Sequence, residues 1–244
     1  MPNLSVRFGR LLVATISALV TSGALLSPVP ATAAGPATDP TRPQYHFTPP
    51  ANWMNDPNGL VYYQGEYHLF YQYYPGGYEV GDEFRDRLRW GPMHWGHAVS
   101  TDLVRWQHLP VALYPDTHPE SGPEGAVVQG MVWSGSAVVD WKNTSGFQQG
   151  NEPPLVAIFT LTDTGQAGNQ RQGIAYSNDH GRTWTKYAGN PVLPNPDIPD
   201  FRDPHVFWHD ATKRWVMIVS ARDRVRLYQR VDEFGLSRGA AAPS

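Results

Sequence analysis

Residues 52–63 read NWMNDPNGLVYY, and this stretch places a carboxylate at the entrance to an apolar strand. Asp56 stands directly before Pro57, whose fixed φ and missing N–H push the preceding residue towards extended geometry. Asn58 and Gly59 are turn formers that lead the chain into the apolar run. Because oxocarbenium chemistry on a sugar needs a carboxylate fixed near the anomeric carbon, Asp56 is a candidate catalytic residue. A turn that happens to contain an aspartate is the alternative.

The same pattern returns near the end of the chain. Residues 203–209 read DPHVFWH and residues 215–219 read WVMIV. They repeat the order of residues 56–70, which is an Asp-Pro pair, an apolar strand, a polar turn and a second apolar strand. This internal repeat indicates an architecture built from successive, similar β-sheet units.

A middle unit is predicted to begin at residues 133–141, WSGSAVVDW, and to continue in the apolar run 155–160. Three successive four-stranded units predict an all-β propeller, in which sheets repeat radially around a channel. If the first strand of each unit lines that channel, Asp56, Ser134 and Asp203 converge on its axis. A β-sandwich of tandem hairpins is the alternative fold, but it would not bring these three side chains together.

The N-terminal part of the sequence predicts export. Residues 1–34 contain two arginines, an apolar run and then small residues, which is the order of a secretory signal peptide with cleavage near Ala33 or Ala34. Residues 35–44 are predicted to be a Pro/Ala-rich linker. The apolar run, 11–26, is too short and too rich in Ser, Thr and Gly to predict a transmembrane span, so we expect no membrane anchor.

Composition excludes several function classes. The chain has 22 acidic and 19 basic residues without a basic run, so we expect no nucleic-acid partner. Nine histidines show no metal-ligand spacing, and we expect neither a metal site nor a cofactor. No cysteine is present, whereas aromatic residues are abundant, which suits a secreted protein that handles neutral sugars. The sequence leaves the oligomeric state open.

The stretch around Asp56 resembles the nucleophile motif of glycoside hydrolase family 32, the β-fructofuranosidases. Residues 201–204, FRDP, are similar to the family's second acidic motif. The resemblance implies that Asp56 is the nucleophile and that Asp203 stabilises the transition state. It also implies that Arg202 keeps Asp203 ionised through a charge-assisted pair.

The resemblance further implies a set of residues that bind the fructosyl ring. They are Trp53, Asn55, Gln72, Trp90, Trp133, Ser134 and Arg202. For each of them, core packing or a turn is the alternative role.

The family fold implied by the resemblance is a five-bladed propeller, which we expect here truncated to about two and a half blades. The partial propeller would occupy residues 45–229, and residues 230–244 would form a tail outside the family. The family's acid/base is a Glu normally followed by Cys. This chain contains no Cys, and the context of Glu233 does not match.

The function implied is that of a secreted hydrolase, most like bacterial levanases and exo-inulinases. It would cleave β-D-fructofuranosyl linkages in levan, inulin or sucrose with retention. Because the acid/base Glu is missing, we expect the chain to be incomplete and inactive. The alternatives are a sucrose-acting invertase or fructosyltransferase, and a non-catalytic carbohydrate-binding remnant.

Overall fold

The computed structural model describes residue 43 and residues 46–75, 92–117, 128–163, 169–232 and 235–238. All of these residues belong to one unit of the chain, 31–244. The predicted signal peptide and Trp90 lie outside the described residues, as does the predicted linker apart from Pro43.

The described residues form β-strands joined by turns and loops. The strands are β1 (Trp53–Tyr63), β2 (Glu66–Tyr74), β3 (His94–Ser100), β4 (Gln107–Leu113), β5 (Asp116–Thr117), β6 (Val128–Val139), β7 (Leu155–Asp163), β8 (Gln170–Ser177), β9 (Thr185–Lys186), β10 (Phe201–His209), β11 (Arg214–Ala221), β12 (Arg224–Asp232) and β13 (Gly235–Arg238). In the ranges described, no helix has the length and apolar character needed to cross a membrane.

The strands form three antiparallel sheets in which sequence neighbours pair. Sheet A has the order β1-β2-β3-β4, sheet B the order β5-β6-β7-β8-β9, and sheet C the order β10-β11-β12-β13. The predicted all-β fold with repeated sheet units is confirmed, since β1, β6 and β10 contain the three predicted unit starts. In sheet C the ladder continues past Gln229, because β12 reaches Asp232 and pairs with β13.

Sheet B lies between the other two sheets, and its central strand, β7, packs against both of them. Leu155 to Thr162 in β7 are all buried, so both faces of this strand are covered. Phe159 packs with Phe70 and Trp95 of sheet A, whereas Ile158 packs with Phe201 of sheet C. Because neighbouring side chains of a strand point to opposite faces, one apolar strand serves two cores. Such stacking is that of neighbouring propeller blades.

Candidate active site

A β-bulge interrupts β1, β6 and β10, the strands that contain the three predicted unit starts. In β1 the pairing with β2 is displaced between Met54 and Pro57, so Asn55 and Asp56 together face one residue of β2. The same displacement occurs in β6 at residues 133–134 and in β10 at residues 203–204. A bulge bends a strand and redirects its side chains, and bulges are frequent beside active sites. The predicted catalytic residues therefore occupy equivalent irregularities of the fold.

The carboxylate of Asp56 is held from the neighbouring sheet. Ser134, in the bulge of β6, donates a hydrogen bond of 2.7 Å from its hydroxyl to Oδ2 of Asp56. The main-chain N–H of Asp56 donates to Oδ1 of Asn55 at 2.8 Å. Close contact of β1 with β6 is maintained by Gly135, whose N–H donates to Oδ1 of the buried Asn58 at 3.3 Å. Asp56 is thus fixed at its side chain, yet it remains exposed.

Asp203 occupies its bulge in an unusual backbone conformation. Its φ is +59°, which lies in the left-handed region. Its main-chain N–H donates to the hydroxyl of Thr160 in β7 at 3.0 Å. The side chain of Asp203 is 48% exposed, so a ligand entering from solvent can reach the carboxylate.

The surroundings of Asp203 disfavour its charge. Burial is the largest effect and raises the pKa of Asp203, Arg202 lowers it, and the negative charge of Asp56 raises it further, with a net pKa above the ordinary value. The charge of Asp56 thus acts on Asp203 although the two residues are far apart in the sequence. Pairs of carboxylates in one site with different environments are typical of acid–base and nucleophilic chemistry.

Arg202 contacts three groups rather than Asp203 alone. It forms a short ion pair with Asp200, and its Nη1 lies 3.4 Å from Oε1 of Gln170. The distance from its Nε to Oδ2 of Asp203 is 3.7 Å, which is long for a charge-assisted hydrogen bond. The expected influence of Arg202 on Asp203 is present, but burial outweighs it.

The other predicted site residues lie at different depths. Trp53 is the half-buried first residue of β1, and Asn55 is exposed beside Asp56. Trp133 is half-buried in the bulge of β6, next to Ser134. Gln72 is only 5% exposed and donates from Nε2 to the carbonyl of Val132 at 3.2 Å, which joins sheet A to sheet B. A contact of Gln72 with sugar stays a prediction.

Sequence reasoning missed two buried polar residues beside Asp203. Thr160 and Gln172 are both 0% exposed, and the hydroxyl of Thr160 donates to Oε1 of Gln172 at 3.0 Å. The available signal was a threonine inside an otherwise apolar run, because buried polar side chains need hydrogen-bond partners. Across the described ranges, no group of three or more His, Asp or Glu side chains is placed to hold a metal ion.

Comparison with known proteins finds one family repeatedly. Residues 46–234 match the family model described as the glycosyl hydrolases family 32 N-terminal domain. The chain is 59% identical over 207 residues to a levanase of Bacillus subtilis (strain 168), covering 82% of this chain and 27% of the relative. It is 45% identical over 223 residues to an extracellular exo-inulinase of Aspergillus awamori, covering 80% and 38%.

Solved structures give the same result. The crystal structure of an exo-inulinase from Aspergillus awamori superposes with a TM-score of 0.68 at 42% identity, covering 80% of this chain and 38% of that one. The chain therefore spans between about a quarter and two fifths of the length of these relatives.

Proposed function

The chain belongs to glycosyl hydrolase family 32, and on that premise we propose that it contributes the nucleophile and the transition-state stabiliser of a retaining β-fructosidase. The proposal is supported by the equivalent settings of Asp56 and Asp203. Each lies in a strand bulge and is exposed to solvent, the two bulges belong to different sheets, and the charge of Asp56 contributes to the raised pKa of Asp203.

In the proposed reaction, Asp56 attacks the anomeric carbon of the fructosyl unit while the bond to the leaving oxygen breaks. The covalent fructosyl-enzyme is then hydrolysed by water, which gives net retention. The hydrogen bond from Ser134 aims the attacking carboxylate. Asp203 stabilises the positive charge that develops on the sugar. Burial and the charge of Asp56 disfavour the ionised form of Asp203 in the resting site. The Asp203 carboxylate therefore stabilises a neighbouring positive charge more strongly than a carboxylate in water would.

The leaving oxygen must also receive a proton. Glu66 and Glu152, the glutamates among the described residues, are engaged elsewhere: Glu66 accepts two bonds of 2.8 Å from Arg182, and Glu152 accepts from Gln64. Glu66 pairs with Tyr63 at the opposite end of β1 from Asp56. General acid catalysis typically contributes ~10²–10⁴-fold. Neither glutamate in the described ranges is free for this role, so we propose that the 244-residue chain is a poor catalyst on sucrose, inulin and levan.

A substrate with an activated leaving group tests this assignment. Fluoride departs without a proton, so the chain should consume β-D-fructofuranosyl fluoride far faster than sucrose, and fluoride release is measured with an ion-selective electrode. Asp56→Asn should abolish that release, whereas Asn143→Asp, a change in an exposed loop, should leave it intact. Hydrolysis of sucrose at ordinary glycosidase rates would contradict the proposal that this chain lacks a general acid. A chain that binds fructose but leaves the fluoride intact would favour the carbohydrate-binding alternative.

Levan is the proposed substrate, on the likeness to the levanase, with inulin and sucrose as the alternatives and transfer to a sugar acceptor as the alternative reaction. Binding separates the substrates without requiring turnover. The Asp56→Asn chain is titrated with fructose oligosaccharides of each linkage type. Tighter binding of the levan-type oligosaccharides supports the assignment, and equal affinities would remove it.

Secretion is part of the proposal. It is supported by the signal-peptide pattern of residues 1–34 and by the likeness to an extracellular exo-inulinase. N-terminal sequencing of the protein recovered from the culture medium should begin after Ala33 or Ala34. Protein that stays inside the cell with residue 1 retained would contradict export.

A further inference from the structure

The backbone of Asp203 needs an external constraint. A non-glycine residue with φ of +59° is held in a sparsely populated conformation, which persists only where the surroundings fix it. The bulge removes the regular pairing of this residue with β11. The constraint therefore has to come from outside sheet C.

Thr160 supplies one half of the constraint. It lies in β7 of sheet B, is fully buried, and accepts the main-chain N–H of Asp203 at 3.0 Å. Its hydroxyl has a single proton, which is donated to Oε1 of Gln172 at 3.0 Å. The oxygen lone pairs of Thr160 are thereby left to accept from Asp203.

Gln172 supplies the other half and sets the direction of the bonds. Its Nε2 donates to the carbonyl of Phe201 at 2.8 Å, so its Oε1 must face Thr160. The main chain of Gln172 is itself fixed, because it exchanges hydrogen bonds with Leu193. The hydrogen bonds thus reach the main chain on either side of Arg202, at Phe201 and at Asp203, the first residue of the bulge, and every polar atom of the two buried side chains has a partner.

A similar arrangement connects sheet A to sheet B. Gln72 and Trp95 are directly paired across β2 and β3, as Thr160 and Gln172 are across β7 and β8. Gln72 faces the bulge of its own sheet, and Thr160 does the same. Gln72 donates to Val132, and the indole of Trp95 donates to Trp133 at 3.0 Å. In both places, two buried side chains on neighbouring strands form hydrogen bonds with the main chain at or next to the bulge of the following sheet.

We propose that Thr160 and Gln172 are positioning residues for Asp203: by binding the main chain at Phe201 and at Asp203, where the strand enters the bulge, they direct its carboxylate into the site that contains Asp56. The inference rests on the proposed function, in which Asp203 is the stabiliser. Neither residue touches the reacting atoms, so both act through Asp203.

The test compares two variants of Thr160 with a matched control. Thr160→Val keeps the shape and removes the hydroxyl, and Thr160→Ser restores it. Thr162→Val is the control, because Thr162 is equally buried in β7, two residues further on, and among the described residues its hydroxyl bonds to the carbonyl of Asp163 at 3.4 Å rather than to sheet C. Gln172→Met removes the hydrogen bonds of Gln172 to Thr160 and Phe201, one step further from Asp203. With this second variant, the result does not depend on the folding of Thr160→Val alone.

The first measurement is the titration of the Asp203 carboxyl by carbon-13 NMR in the 244-residue chain. In Thr160→Val and Gln172→Met its pKa should fall towards the ordinary value, because a released bulge lets the carboxylate turn to water. Thr160→Ser and Thr162→Val should titrate like the wild type. Identical titration in all five proteins would overturn the inference.

The second measurement is fructose affinity. It should weaken about five-fold in Thr160→Val, the effect of one lost hydrogen bond, and recover in Thr160→Ser. Equal weakening in Thr162→Val would show a general packing effect and contradict a positioning role. Absence of fructose binding by the wild-type chain would overturn the proposed function instead, and the titration alone would then decide the role of Thr160 and Gln172.

Discussion

The hydroxyl of Ser134 and the carboxylate of Asp56 are joined by a 2.7 Å hydrogen bond that crosses from sheet B to sheet A. Asp203 is likewise held from sheet B, although through its main chain and by Thr160. Neither aspartate is positioned by its own sheet alone. The geometry of the candidate site therefore depends on how the three sheets stack. A substitution that disturbs the stacking should displace both carboxylates.

Ser134→Ala should slow the release of fluoride from β-D-fructofuranosyl fluoride about ten-fold. The variant removes a hydrogen bond to an ionised acceptor, which is stronger than a bond between neutral groups, and frees the attacking carboxylate to rotate. The initial rate at saturating substrate checks this. Ser136→Ala is the matched control, since its hydroxyl also bridges two sheets by accepting the N–H of Val206. An equal loss in both variants would contradict a specific role of Ser134.

Asp203→Asn should raise the melting temperature at pH 7, by about 2 °C or less because the side chain is half exposed. The pKa of Asp203 is raised in the folded state, chiefly by burial, so its charge destabilises the fold above that pKa. The gain should shrink as the pH falls through the folded-state pKa towards the ordinary value. Asp210→Asn is the control of opposite sign, because Lys213 lowers the pKa of Asp210. Destabilisation by Asp203→Asn would contradict this account.

His68 and His97 should make the fold sensitive to acid. They are buried and joined by a 3.0 Å bond between Nδ1 of His68 and Nε2 of His97. Burial lowers the pKa of His68 to about 4, against a rise caused by Glu66, and lowers the pKa of His97 well below its usual range. Their neutral forms stabilise the fold fully above pH 6.5, and this contribution is lost as the pH falls from 6.5 through the folded-state values.

The measurement is the free energy of unfolding in urea between pH 7 and pH 4.5. Each buried histidine contributes a slope of up to about 1.4 kcal/mol per pH unit in this window. His68→Gln should be less stable at pH 7 but show a shallower dependence on pH. His209→Gln, at an exposed position in β10, should keep the wild-type slope. An unchanged slope in His68→Gln would rule out this source of acid sensitivity.

Gly135→Ala should destabilise the chain by about 3 kcal/mol or more. A Cβ at this position would lie 2.0 Å from the carbonyl oxygen of Ile158 and 2.7 Å from Cα of Phe159, and backbone atoms cannot move aside cheaply. Urea unfolding measures the change. Gly130→Ala is the control in the same strand, since its Cβ would meet nothing closer than 3.4 Å. Similar stability of the two variants would show that β6 and β7 can separate at the bulge.

Much of the architecture follows from local sequence. Alternating or continuous apolar strands separated by turn formers produce hairpins wherever they occur, so the repeated sheet units were predictable from residues 56–70 and 203–219. The two Asp-Pro pairs, with their flanking residues, also identified Asp56 and Asp203 as the candidate carboxylates. These inferences need only neighbouring residues and the stiffness of proline.

The tertiary structure alone decided how the carboxylates are held. The sequence aligns the two Asp-Pro pairs, but Asp56 is the second residue of its bulge and Asp203 the first of its own, since strand pairing sets the register. The bond from Ser134 to Asp56 and the support of Asp203 by Thr160 and Gln172 also have no local signature. They join residues that are distant along the chain, and only the stacking of one sheet on the next brings such groups within hydrogen-bond distance.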